Sequence, residues 1–149
     1  MESTQSLWPV TDLRAFLTGR WIVKRSLLDL RHSIDGALRG EANFLPGGES
    51  LLYHEHGALD FGDHRGFAEQ HYRYDFDDGV ERACVRFRDG RPFHDLDLRQ
   101  GQSTASHHCG ADLYEGQFTV LDATRWRSVW TIKGPRKEQA IRTFFSRLT

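Results

Sequence analysis

The stretch Gly19-Arg20-Trp21-Ile22-Val23-Lys24-Arg25-Ser26-Leu27-Leu28 decides the fold. Its aromatic and β-branched residues predict a strand from Trp21 to Leu28, and the period of two puts Trp21, Val23, Arg25 and Leu27 on one face. Just before it, Thr11-Asp12-Leu13-Arg14-Ala15-Phe16-Leu17 spaces apolar residues at helical intervals behind a capping Thr or Asp, which predicts a short helix ending at Gly19. Beyond it, turn residues recur roughly every eight to twelve positions, the spacing of an all-β meander. Turns are predicted at 33–36, 46–48, 62–66, Asp77-Asp78-Gly79 and 88–91, with a break at Gly110. Between them lie strands over 37–45, 50–59, 67–76, 80–87, 93–98, 102–109, 112–121 and 126–132. The last segment, 137–148, suits either a helix or a strand. The alternation of Ile141, Thr143 and Phe145 favours a tenth strand, which would help close a barrel and remove an exposed edge. The expected fold is therefore all-β, an antiparallel up-and-down β-barrel of nine to ten strands behind a short N-terminal helix, with residues 1–149 as one domain.

Composition narrows the function classes. Lys+Arg 20 against Asp+Glu 21 leaves a formal net charge of -1, so there is no cationic excess for a phosphate backbone or an anionic bilayer. Nucleic acid and membrane are accordingly not expected as partners. The first twenty residues hold Glu2, Asp12, Arg14 and Arg20 and no long apolar run, which argues against an export signal. Cys84 and Cys109 could form at most one bridge, and a reducing cytoplasm is the simpler expectation.

The helix followed by Gly19-Arg20-Trp21 resembles the Gly-x-Trp opening of lipocalins and their calycin relatives. The resemblance implies that Trp21 closes the base of the barrel under a basic side chain from the far end of the chain, Arg142 or Arg147. A second resemblance spans nearly the whole chain. The runs Tyr53-His54-Glu55-His56-Gly57, Phe87 to His94, His108 to Tyr114 and Trp130 to Pro135 are similar to a family catalogued only as a domain of unknown function. It implies the fold and no chemistry, so function must be argued from residues.

Arg25 inside a barrel needs a carboxylate or an anionic ligand, because a low-dielectric interior does not tolerate a lone charge. Glu55 is the expected partner, since Tyr53, Glu55 and Gly57 share one face of their strand and Tyr72 and Tyr74 share a face of the next. The plain reading is a structural ion pair, and the functional one is recognition of an anion. A second constellation follows the 88–91 turn: Arg91, Phe93 and His94, then His107, His108, Cys109, Asp112 and Tyr114. If the sixth and seventh strands pair as a hairpin, His94 and His108 face one side, with Asp112 and Tyr114 beside them as catalytic candidates. The plain reading makes Asp112 and Tyr114 turn caps. Trp126 and Trp130 share a face and would wall an apolar pocket. By spacing, the His-x-His pair of His54 and His56, whose imidazoles share one face, is the best metal candidate, yet outer-face histidines are common, and no metal or other cofactor is expected.

These residues predict a binding barrel for a hydrophobic or anionic small molecule, with Arg25, Tyr53, Glu55, Tyr72, Arg91, His94, His108, Tyr114 and Trp130 as ligand-binding candidates. The alternatives are a cofactor-free isomerase, cyclase or lyase with a histidine base, and a scaffold whose interior is filled by side chains. Whether the chain is an enzyme, and whether it forms a homodimer, are left open by the sequence.

Overall fold

The computed structural model describes residues 7–77 and 79–148. Among the described residues there is one short helix, α1 (Leu13–Leu17), and one ten-stranded sheet. The strands are β1 (Gly19–Asp29), β2 (Ile34–Gly47), β3 (Ser50–Phe61), β4 (His64–Asp75) and β5 (Arg82–Phe87), followed by β6 (Pro92–Asp97), β7 (Gln102–Cys109), β8 (Asp112–Asp122), β9 (Arg125–Lys133) and β10 (Glu138–Arg147). Each pairs antiparallel with its chain neighbours except across β6 and β7, and β1 also pairs with β10, so the ladder runs β6 to β1 and then β10 to β7. The last segment is thus a strand, with Phe145 opposite Val23. The result is a nearly closed up-and-down barrel.

Along β1, Trp21 and Val23 are fully buried while Ile22 is exposed, as period two requires. At the base, α1 lies across the end of the barrel because Leu13 and Leu17, one turn apart, both bury completely. Asp12 caps it by accepting from the Ala15 N–H at 2.9 Å. Gly19, at φ 114, turns the chain from helix to strand in a conformation that disfavours a side chain. Trp21 then donates its indole N–H to Leu17 O at 2.8 Å. Of the two arginines expected over Trp21, Arg147 takes the position. Its guanidinium lies 4.2 Å from the ring centroid and donates to Thr18 O and Phe16 O, the carbonyls left free at the helix end. Arg142 points to solvent.

The structure corrects several boundaries. Ile34 already opens β2, Pro46 and Gly47 continue it, and the 62–66 turn shrinks to Gly62-Asp63. Gly36, read as a turn residue, is a close-approach site within β2 instead: a Cβ there would sit 2.5 Å from Asp60 O across the ladder. Val80 lies outside β5 because its carbonyl accepts from the Leu13 and Arg14 N–H groups, docking the helix. The Asp77-Asp78-Gly79 turn includes Asp78, which lies outside the described residues.

The sixth and seventh strands do not form a hairpin. Gly101, at φ 77, donates to Leu98 O at 2.9 Å and accepts from the Val120 N–H at 2.9 Å, which aims β7 along β8 rather than back along β6. Among the described residues no backbone ladder joins β6 to β7. Aromatic contacts span that seam instead: Phe93 and His94 of β6 meet His107, Phe118 and Trp130 from the other side at centroid distances of 5.3 Å for Phe93–His107, 5.0 Å for Phe93–Trp130 and 5.1 Å for His94–Phe118.

Candidate functional site

The barrel encloses a cavity of about 930 Å³ that opens at the end opposite α1. Its room traces to small inward residues. In the register Val23, Gly40, Gly57 and Ala68 stand in one row across β1 to β4. A Cβ at Gly40 would come within 1.9 Å of His56 O, so β2 and β3 approach closely at the middle of this row, where neither strand carries a side chain. Gly40 and Gly57 fall between the row of Arg25 and the row of Glu55, which leaves a path for the arginine to cross.

Arg25 takes that path. Its Nη1 and Nη2 donate to the two Glu55 oxygens at 2.6 and 2.7 Å, and its Nε donates to Thr143 Oγ1 at 2.9 Å. Tyr53 OH donates to Glu55 Oε1 at 2.5 Å, completing a network whose carboxylate is only 1% exposed. Burial works against the Arg25 cation, but the hydrogen bonds and charge of Glu55 outweigh it, and its pKa stays above the ordinary value. Burial and the Glu55 charge both push the Tyr53 phenol well above its usual range, and Tyr72 is raised the same way. Arg25, Tyr53 and Tyr72 therefore hold their protons at neutral pH, and the Arg25 cation is matched by the Glu55 carboxylate it grips.

The wall is aromatic. Tyr72, Phe87 and Phe93 follow one another, with Phe87 and Phe93 stacked at 4.5 Å, and Phe93 stacks on Trp130 in turn. Gly116, directly opposite Trp130 on β8, makes space for the indole: a Cβ there would lie 2.9 Å from the ring. Trp126, Ser128 and Trp130 alternate inward along β9, as their shared face implies.

His94 lies within this wall. Its Nδ1 is 2.9 Å from Asp95 O, and because a carbonyl only accepts, that nitrogen carries the proton and Nε2 is left as an acceptor. Burial depresses its pKa to about 4, so the ring is neutral at physiological pH. Tyr114 lines the cavity opposite His107. On β7 it is His107, not His108, that has the inward parity, with its ring 6.2 Å from that of Tyr114. His108 is exposed and joins Arg91 at the mouth, where Arg91 pairs with Asp89 at 2.7 Å. Asp112 is elsewhere: its carboxylate packs on Gly134 and approaches Lys137 Nζ at 3.8 Å, so it does not orient His94. Sequence reasoning left Phe87 and Thr143 out of the site, and named His107 in the constellation but chose His108 over it as the ligand-binding candidate. Thr143 was legible in principle, since period two along the final strand places it beside Phe145 on the inner face.

A family model described as a family of unknown function, DUF6314, matches residues 17–147. No curated protein matches the chain. Among solved structures, the S-type phycobiliprotein lyase CPES from Guillardia theta superposes with a TM-score of 0.70 at 8% identity, over 95% of this chain and 94% of that one. A protein of unknown function of the DUF3598 family from Nostoc punctiforme does so with a TM-score of 0.65 at 10% identity, over 95% of this chain and 51% of that one. At such identities the likeness is one of fold.

Proposed function

The chain belongs to DUF6314, a family of unknown function, and we propose that it is a lipocalin-like barrel that binds a small, largely apolar, uncharged molecule bearing a hydrogen-bonding group. The observation that carries this reading is the cavity of about 930 Å³, within the roughly 300–1,000 Å³ of small-molecule sites and walled by aromatic rings with few polar groups. An anion is the poorer candidate, because Glu55 already neutralises Arg25. Of the five guanidinium N–H groups three are engaged, and the remaining two suit a neutral carbonyl or hydroxyl acceptor. His94 Nε2 offers the complementary acceptor. Catalysis through His94 is the weaker reading, since an imidazole with a pKa of about 4 is a feeble base and Asp112 is held elsewhere. In the same reading the barrel is a single domain of a reducing compartment, in keeping with Cys84 and Cys109 as free thiols.

The test uses N-phenyl-1-naphthylamine, a neutral apolar fluorophore, and its anionic relative 1-anilinonaphthalene-8-sulfonate. The neutral dye is expected to bind saturably with one site per chain and more tightly than the anion. Ala68→Trp, which fills the cavity, should weaken it at least tenfold, while the outward-facing Ile22→Ser leaves it unchanged. Absence of saturable binding by a chain with a native circular dichroism spectrum and a cooperative melt, or binding indifferent to Ala68→Trp, overturns the reading.

A further inference from the structure

The outer face of β3 and β4 carries a cluster of histidines that has no part in the cavity's aromatic wall. His54 stands directly opposite His71, and His56 directly opposite Glu69, in the antiparallel register. The His54 and His71 rings stack at 4.4 Å, only 14° from parallel, and each Nε2 lies 3.7 Å from the same oxygen, Glu69 Oε2. Such a distance is too long for a hydrogen bond. His54 Nε2 is sealed from solvent and, among the described residues, meets no hydrogen-bonding partner, although a buried imidazole nitrogen ordinarily finds one. Two nitrogens thus converge on one carboxylate oxygen without bonding to it.

We propose that His54, Glu69 and His71 are a binding site for a borderline divalent cation, with Zn²⁺ the best suited. Two imidazoles and one carboxylate are a zinc donor set. Bonds of about 2.0–2.2 Å at tetrahedral angles put ligand atoms roughly 3.4 Å apart. The two 3.7 Å separations to Glu69 are near that edge, and all three ligand atoms already lie within 4.8 Å of one another. A tilt of the two half-exposed rings toward each other completes the triangle. His56, whose ring is 5.6 Å from that of His54, stands on the same face.

The location gives the ion a structural purpose. Because β5 joins β4 only from Tyr72 onward, the part of β4 from His64 to His71 is held by its ladder to β3 alone. An ion bridging His54 to His71 and Glu69 clips this arm, whose Ala68 and Gln70 line the cavity.

The experiment is a titration of the full chain, stripped with a chelator, with Zn²⁺ alone, followed by calorimetry and by melting. One Zn²⁺ per chain is expected to bind with micromolar or tighter affinity and to raise Tm. His54→Gln and His71→Gln should each weaken binding at least tenfold, as should Glu69→Gln, whereas His32→Gln and His107→Gln leave it unchanged. All three ligands face outward, so the variants should melt like the metal-free parent, and a loss of binding is then not a loss of fold. No stoichiometric uptake of Zn²⁺, or uptake unaltered in the His54→Gln/His71→Gln double variant, overturns the proposal.

Discussion

Glu55 accepts three hydrogen bonds, two from Arg25 and one from Tyr53, and it sits where water does not reach. Neutralising it should therefore be worse than removing the pair. Glu55→Gln leaves Arg25 with an uncompensated buried charge and is expected to cost about 3–5 kcal/mol in urea unfolding. The double variant Arg25→Met/Glu55→Leu should recover most of that loss. His94 makes a second prediction. Its folded-state pKa is about 4 against an ordinary 6.5, so between those values the unfolded chain binds more protons than the folded one. Stability should fall as the pH drops from about 6.5 toward 4, by up to roughly 3 kcal/mol from this group, and the difference between parent and His94→Gln across that window isolates it. At this scale the sequence was unevenly legible. The partnership of Arg25 with Glu55 followed from strand parity and the need to pair a buried charge. The choice between His107 and His108 did not, because adjacent residues on a strand exchange faces with a single step of register.

At the scale of elements, one side chain or its absence often decides how two strands meet. Gly116 shows this on β8: placing a methyl 2.9 Å from the Trp130 ring should push the indole into the cavity. Gly116→Ala is expected to lower stability by about 1–3 kcal/mol and to weaken binding of the neutral fluorophore, read by melting and by dye titration. At the base, Arg147→Ala removes a cation–π contact with Trp21 and the hydrogen bonds that satisfy the end of α1. A loss of roughly 1–3 kcal/mol in chemical unfolding is expected, larger than for the exposed Arg142→Ala. The strands themselves were readable because their period survives local noise. Their ends were not, since a glycine signals a turn and a close backbone approach with the same letter. Gly36 and Gly47 are strand residues here.

For the whole molecule, the order of strands was legible because a meander pairs chain neighbours, and closure followed from a terminal segment with the right alternation. The place where the ring fails to close was not legible, because the Gly101 turn is secured by Val120, a contact distant in sequence. Hydrogen exchange should report that place: amides along the facing edges of β6 and β7 are expected to exchange faster than those of β1, which is paired on both sides. Mechanically, the barrel is a split ring. Prising any other neighbouring pair of strands apart must shear a row of backbone hydrogen bonds, whereas between β6 and β7, among the described residues, no such ladder runs and aromatic contacts, stacked and edge-to-face, span the seam. Under load the molecule's line of least strength therefore runs lengthwise down that slit, and a chain pulled from its two ends should yield there only after β1 and β10, which clamp the termini together, have let go.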